Sequence, residues 1–185
     1  MQLPQPHYNP QPEDPDWLRL AAQFHGHLGP WATAGLRLGA AALTAAAAPG
    51  YFRLRVTCSG PFEQPPRACF LDGLQVATGA TWGKRNLHWQ PSQEISVRLE
   101  NLAAGSGQDI EGRVVTVRPS EKLLRLLGVV AGSAVAGSSE ERVANRGDSR
   151  AAPAGGPVDH ARLEELARRI AAMPEEQLVV VEQES

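Results

Sequence analysis

The stretch that decides the fold class is Tyr51-Phe52-Arg53-Leu54-Arg55-Val56-Thr57-Cys58, in which apolar and polar residues alternate. The apolar residues from Phe52 to Cys58 share one face, which is typical of a strand with one face buried. Residues 95–99 alternate in the same way, and residues 110–118 predict a further strand. Such strands indicate a largely antiparallel sheet. We therefore predict an α+β fold, a single domain in which this sheet packs against helices.

Helices are predicted on either side of these strands. The first spans residues 16–24 and has Trp17, Leu20 and Phe24 on one face. The other predicted elements are helices over residues 30–48 and 69–79, helices beginning after Ser120 and after Asp159, and a short buried strand over residues 178–181.

The helix predicted over residues 30–48 is rich in Ala and Leu, which are strong helix formers. Gly35 and Gly39 lie four residues apart and therefore on one face of this helix. We expect another element to pack closely against that face.

The chain divides into four segments by composition. Residues 1–15 form a Pro-rich arm that is expected to be extended, because proline fixes φ and removes a donor. Residues 16–131 form the main α+β domain. Residues 132–157 contain Gly, Ala, Ser, Pro and charged residues without an aromatic, which predicts a flexible linker. Residues 158–185 are expected to supply a C-terminal helix and strand that complete the same domain.

Composition excludes several classes of function. The 185 residues carry a net charge of −2 and only 5% aromatic residues, so neither a basic footprint nor a stacking surface for nucleic acid is present. Two cysteines do not make a disulfide scaffold at this length. Neither a signal peptide nor a run long and apolar enough to cross a membrane is recognisable. We therefore expect a soluble, cytoplasmic protein.

The run Phe24-His25-Gly26-His27-Leu28-Gly29-Pro30 is unusual in a chain with five histidines. Gly29 and Pro30 predict a turn followed by a helix. If the His-Gly-His piece is extended, His25 and His27 project to the same side, where one metal ion can use both nitrogens. The alternative is that both imidazoles are turn residues bonded to the backbone. A metal site requires further ligands from elsewhere in the chain.

Two later stretches join this run in an order that resembles a known family. They are Cys69-Phe70-Leu71-Asp72-Gly73-Leu74-Gln75 and Thr78-Gly79-Ala80-Thr81-Trp82-Gly83-Lys84-Arg85-Asn86-Leu87. Together the three motifs resemble the FmdE family, which is named after formylmethanofuran dehydrogenase, over roughly residues 16–131 and 158–185. The family pattern has a cysteine in the first motif where this chain has Gly29, and a cysteine in the loop where it has Ala80.

The resemblance implies a metal site on His25, His27 and Cys69. Two imidazoles and one thiolate are a normal three-ligand set for zinc, and they leave one position for water or substrate. Asp72 lies one helical turn after Cys69, so it is expected to act as a fourth ligand, to hold an imidazole N–H, or to serve as a catalytic base. The expected cofactor is a divalent metal, with zinc preferred. Alternatively, Cys69 is simply a small buried residue.

The glycine-rich loop after Cys69 predicts a second binding feature. Backbone N–H groups near Thr78 and Gly83, with the ammonium of Lys84, are suited to an anionic group of a small-molecule ligand or cofactor. Lys84 is thus a candidate catalytic and binding residue, unless it is a solvated loop lysine. Trp31 and Trp82 flank two of the motifs, and each is expected to pack in the core or to form a pocket wall.

Three functions follow as hypotheses. The first is a metal-binding protein with a small-molecule pocket, which the resemblance links to one-carbon metabolism beside molybdenum or tungsten enzymes. The second is an accessory component of a larger redox complex with a structural or vestigial metal, which the absence of cysteines at Gly29 and Ala80 favours. The third, a thiol-redox protein using Cys58 and Cys69, is disfavoured because Cys58 lies on the apolar face of its strand.

The resemblance also implies a homodimer. Of the remaining histidines, His88 is a spare ligand candidate that is expected at the surface. His7 and His160 receive no role from the sequence.

Overall fold

The structure is a computed structural model that describes residues 3–102, 113–128 and 159–184. The elements in chain order are α1 (Asp16–His25), α2 (Pro30–Ala46), β1 (Leu54–Gly60), α3 (Cys69–Thr78), β2 (Leu87–Pro91), β3 (Ser96–Asn101), β4 (Val114–Pro119), α4 (Glu121–Leu126), α5 (His160–Ala171), α6 (Glu175–Leu178) and β5 (Val179–Glu184). The linker predicted over residues 132–157 lies outside the described residues.

The strands form a five-stranded sheet in the order β2-β1-β3-β4-β5. Pairing is antiparallel except between β1 and β2, which run parallel. One face of the sheet meets the helices in a continuous apolar core to which α2 and α3 contribute. The prediction of a single α+β domain with a largely antiparallel sheet is therefore confirmed.

Strand β1 begins later than its sequence pattern predicts. Leu54, Val56 and Cys58 are buried as expected, but Phe52 is 75% exposed. Tyr51 has a positive φ of 62°, which turns the chain before the strand starts at Leu54. Cys58 is a core residue as predicted, and burial raises the pKa of its thiol far above the ordinary range.

Strand β2 was not predicted from the sequence, nor was the one-turn helix α6, which takes up Leu178 so that the last strand starts at Val179. Strand β2 lies at the edge of the sheet, and Leu87 is its only buried residue. An edge strand with one buried side chain shows no alternation, so periodicity cannot identify it. His88 is exposed, in agreement with the surface position expected for that histidine.

Helices α2 and α3 pack with their backbones nearly in contact, as Gly35 and Gly39 predict. A Cβ atom on Gly35 would lie 2.0 Å from the carbonyl oxygen of Phe70, and a Cβ on Gly73 would lie 1.8 Å from that of Ala32. No side chain fits in either place, so both glycines are required for this approach. The close packing fixes α3, and with it Cys69 and Asp72, relative to the start of α2.

Helix α1 does not bury the apolar face that its spacing identifies. Trp17, Leu20 and Phe24 do share a face, but that face is turned to solvent, with exposures of 37%, 59% and 55%. The residues that α1 buries are smaller: Leu18, Ala21 and Ala22. Helical spacing identified a common face, but it could not tell which side meets the core.

The N-terminal arm lies against α1, the loop after it and α5. The backbone N–H of His7 donates to the carbonyl of Gly26 at 2.6 Å, and His7 and His27 pair as a short parallel bridge. Further along, Asp14 accepts hydrogen bonds from Arg168 on α5 at 2.8 and 3.0 Å. Among the described residues, no helix has the length and apolar character needed to cross a bilayer.

Candidate functional site

The loop that carries His25 and His27 is shaped by two glycines. Gly26 has φ +91°, ends α1 and donates its N–H to the carbonyl of Ala22. Gly29 is the N-cap of α2, and Pro30 is the first residue of that helix, as predicted. The histidine run is not extended throughout, because His25 is the last residue of α1. The turn at Gly26 nevertheless brings the rings of His25 and His27 to a centroid distance of 4.5 Å.

Asp72 holds His25 through one ring nitrogen. Its carboxylate oxygen lies 2.6 Å from Nδ1 of His25, and the side chains of His25 and Asp72 are 10% and 38% exposed. The pKa of His25 is raised to about 9, first by the hydrogen bond with Asp72 and then by the Cys69 thiol. A carboxylate at Nδ1 fixes the orientation of an imidazole and makes its other nitrogen a stronger metal ligand.

The other nitrogen of His25, Nε2, is a buried atom without a hydrogen-bond partner. Buried polar atoms are almost always satisfied, and an exception calls for an explanation. The Cys69 thiol is close enough to raise the pKa of His25, although it makes no hydrogen bond with Nε2 of acceptable geometry. A metal ion bound by both Nε2 and the thiolate would satisfy this atom.

His27 presents its ring to the same region. Its pKa is lowered, first by burial and then by the charges that His25, His160 and His7 carry when protonated. A lowered pKa keeps the imidazole neutral, which is the form that binds a metal. A Cβ on Gly29 would lie 2.9 Å from Nε2 of His27, so a side chain at that position would displace the ring.

A cavity of about 220 Å³ opens beside His27 and Cys69. Apolar residues form most of its wall: Pro30, Trp31, Pro66, Leu126, Leu127, Leu163 and Leu166. Trp31 is 5% exposed and also stacks edge-on against Phe62, so it is both a core residue and a pocket wall. Neither Lys84 nor any other basic side chain except His27 lines this cavity among the described residues.

The second predicted feature, around Lys84, lies at the opposite end of α3 from Cys69. The helix has 10 residues, so its ends are roughly 14 Å apart. Thr78 is buried, and its hydroxyl donates to the carbonyl of Leu74 at 2.7 Å and accepts from the N–H of Ala80 at 3.1 Å. Ala80 is fully buried in the main core.

Lys84 itself is engaged with the end of α3. Its ammonium donates to the carbonyl of Gly79 at 2.5 Å and lies over the rings of Tyr51 and Phe52. Gly83 is exposed in the same loop. Trp82 is 71% exposed and contacts Arg85, so it is neither a core residue nor a wall of the 220 Å³ cavity. The structure therefore does not bring Thr78, Gly83 and Lys84 together with the His25–Cys69 group.

The structure adds two histidines that sequence reasoning left without a role. His7 and His160 stack with ring centroids 4.5 Å apart, and His160 lies edge-on to His27 at 6.4 Å. Four of the five histidines of the chain thus lie side by side. No spacing rule could find this group, because its members come from the arm, from the end of α1 and the loop after it, and from α5.

The residues present fit a divalent metal in their chemistry. Within the described ranges, no three His, Cys, Asp or Glu side chains are already arranged as a ligand set. The unpartnered Nε2 of His25, the carboxylate at its Nδ1 and the neighbouring Cys69 thiol are nonetheless groups of the kind that zinc sites use as ligands and as ligand-orienting partners.

Comparison with known proteins identifies the family of the chain. No curated protein matches the chain. The family model described as "FmdE, Molybdenum formylmethanofuran dehydrogenase operon" matches residues 24–180, which begin just before the histidine run and end in β5. The match covers most of the chain, and the chain therefore belongs to the FmdE family.

Proposed function

We propose that this FmdE-family protein binds a divalent metal, zinc by preference, and presents it to a small molecule in the 220 Å³ cavity. The observation that carries the proposal is the buried, unpartnered Nε2 of His25 beside Cys69. His25, Cys69 and His27 are the proposed ligands. Imidazole and thiolate together suit zinc, although imidazole also binds other divalent metals.

Each side chain has a distinct task in this proposal. When bound, a divalent metal polarises a carbonyl group or lowers the pKa of a water molecule. Asp72 orients the His25 ring through Nδ1. Asp72 is 38% exposed, so it is also accessible as a proton acceptor at the rim of the site. His27 stays neutral and available because burial lowers its pKa.

The cavity indicates the kind of ligand. Its walls are leucine, proline and tryptophan, and its polar end is formed by His27 and Cys69. We infer a small ligand with an apolar body and one polar group directed at the metal. The family description supports a connection with one-carbon chemistry beside a molybdenum enzyme. That the Lys84 loop binds an anionic group of a ligand is a separate hypothesis.

Elemental analysis of the tag-free protein tests the metal proposal. We expect the native protein to hold about one equivalent of zinc at this site. We expect that equivalent to be lost in His25→Ala and in Cys69→Ala. Cys58→Ala is the matched control for Cys69→Ala, because Cys58 is the other free cysteine and lies in the core. Metal content that is unchanged in both His25→Ala and Cys69→Ala would refute the proposed ligands.

A second candidate function is that of an accessory protein that docks onto a redox enzyme or onto another copy of itself. The exposed stripe of Trp17, Leu20 and Phe24 on α1 favours it, since three large apolar side chains on one exposed helix face are typical of an interaction surface. Light scattering of the native protein and of Leu20→Glu tests the homodimer. A dimeric mass that falls to a monomeric mass in the variant supports self-association, and equal masses exclude this face as the dimer interface.

A further inference from the structure

The groove between the N-terminal arm and α5 contains a second set of metal-binding side chains. It has a volume of about 500 Å³ and is lined by His7, Tyr8 and Asn9 from the arm and by His160 and Glu164 from α5. His160 and Glu164 are four residues apart, so they project from the same face of α5. None of these residues belongs to the proposed His25–Cys69 centre.

The two imidazoles in the groove have nitrogens to spare. Within the described residues, neither the His7 ring nor the His160 ring makes a hydrogen bond; they contact each other and, through His160, the ring of His27. Four ring nitrogens are therefore without a protein partner at one place. Neutral imidazole is the commonest protein ligand for transition metals.

Glu164 supplies a carboxylate that is already held in position. It is 6% exposed, accepts the N–H of Asn9 at 3.1 Å through one oxygen, and pairs with Arg168 at 3.3 Å through the other. A carboxylate has about four acceptor sites, so each oxygen keeps capacity for a further ligand bond. Among the described residues, the one cation that pairs with Glu164 is Arg168, which also pairs with Asp14, so the Glu164 carboxylate can still bind a second cation.

The arm is fixed well enough for the groove to be a built feature. The bridge between His7 and His27 holds one end of it, and the ion pair of Asp14 with Arg168 holds the other. Tyr8 donates its hydroxyl to Asp14 as well. His7 is thereby kept beside α5, although its own ring is exposed.

We propose that His7, His160 and Glu164 bind a divalent transition-metal ion in this groove, separate from the His25–Cys69 centre. Two imidazoles and one carboxylate form a ligand set suited to zinc, iron(II), cobalt(II), nickel(II) or copper(II), with positions left for water or a ligand. The two rings are stacked with an angle of 13° between their planes. One metal ion must lie in the plane of every ring that binds it, so binding unstacks His7 from His160, which the exposed His7 ring permits.

Cobalt(II) titration of the tag-free, full-length protein tests this inference. The titration is made in a His25→Ala/His27→Ala/Cys69→Ala background, so that none of the three proposed ligands of the first centre remains. We expect one equivalent of cobalt to bind there and to be lost in His7→Ala and in His160→Ala. His88→Ala is the matched control, because His88 is exposed on β2 and lies outside the cluster.

Nuclear magnetic resonance of the imidazole groups provides a second readout. It distinguishes the loss of a metal ligand from a general loss of stability. With cobalt(II), we expect paramagnetic shifts for His7 and His160 and none for His88. A protein that binds no cobalt in this background, or that binds it equally well in His7→Ala and His88→Ala, would overturn the inference. Either result leaves the zinc analysis of His25→Ala and Cys69→Ala to decide the first centre by itself.

Discussion

Replacing Asp72 with Asn tests the charge interaction between Asp72 and His25 in the candidate site. The substitution keeps the shape of the side chain and a polar atom near Nδ1 of His25, but it removes the negative charge that lies 2.6 Å from that nitrogen. In the metal-free protein this charge stabilises protonated His25. In the proposed metal-bound protein it would orient the ring and strengthen Nε2 as a ligand.

The magnitude follows from the pKa of His25. The rise from 6.5 to about 9 corresponds to roughly 3 kcal/mol, at about 1.4 kcal/mol per unit, and Asp72 is its largest cause. Because the Asp72 side chain is 38% exposed, solvent screening reduces its share to roughly half of that value. We therefore expect Asp72→Asn to lower the pKa of His25 by one to two units, on the order of 2 kcal/mol. Zinc affinity is expected to fall by about 10-fold to 100-fold.

The pair also gives the metal-free protein a defined pH dependence. The pKa of His25 is raised in the folded protein, so its contribution to stability is complete below pH 6.5 and is lost as the pH rises through about 9. Asp72→Asn is expected to remove this slope from the unfolding free energy measured between pH 6.5 and 9.

The assay is a proton NMR titration of the His25 ring in metal-free protein, followed by competition for zinc with a chelator. Glu94→Gln is the control, because it removes an exposed carboxylate that pairs with Arg118 and lies away from the site. A His25 pKa that is the same in Asp72→Asn and in the native protein would refute the electrostatic reasoning. An unchanged zinc affinity would refute the role of Asp72 in orienting the ligand.

Three further substitutions test neighbouring parts of the structure. Gly29→Ala is expected to weaken zinc binding in a chelator competition, because the new Cβ would lie 2.9 Å from Nε2 of His27; Gly29→Cys should bind zinc more tightly than Gly29→Ala, since it adds a thiolate at the same place. The pKa of Asp14 is lowered from 3.8 to about 2, because hydrogen bonds outweigh the opposing effect of burial. Asp14→Asn should therefore lower the free energy of unfolding, measured with urea at pH 7, by about 2 kcal/mol. The loss should become much smaller as the pH falls through 3.8 towards 2. Lys84→Met should lower the free energy of unfolding by about 1 kcal/mol, because it removes the hydrogen bond to the carbonyl of Gly79. It should leave zinc binding unchanged, and a loss of zinc in this variant would contradict the conclusion that Lys84 and the proposed metal site lie at opposite ends of α3.

The fold was predictable wherever one face of an element is apolar and the other polar. Strands β1 and β3 show that alternation, and the close approach of α3 was readable from Gly35 and Gly39. Strand β2 was not predictable, because an edge strand with one buried residue lacks the pattern. The buried side of α1 was not predictable, because Trp17 and Phe24 are of the types that usually lie in a core, whereas the side that is buried carries Leu18, Ala21 and Ala22.

The candidate site was predictable in part, and for a different reason. His25, Cys69 and Asp72 were found because motif spacing and the family resemblance identify them, and the structure brings these three together. The Lys84 loop was grouped with them because the family resemblance joins the three motifs. A helix of 10 residues separates the Lys84 loop from Cys69, so motifs that follow each other along the chain lie at opposite ends of α3.

The two positions without a cysteine have different consequences for the chemistry of this protein. Ala80 is buried in the main core beyond the C-terminal end of α3, so a thiol there would not reach Cys69. Gly29 lies directly beneath His27, so the missing thiol at that position is the one that matters to the proposed site. Zinc held by His25, His27 and Cys69 carries one thiolate charge and keeps an open position, whereas a structural site closes with four protein ligands. In the proposed site, Gly29 in place of the family's cysteine would therefore leave a metal position open to a ligand in the leucine-lined cavity, which reverses the expectation from the sequence that its absence points to a structural or vestigial metal.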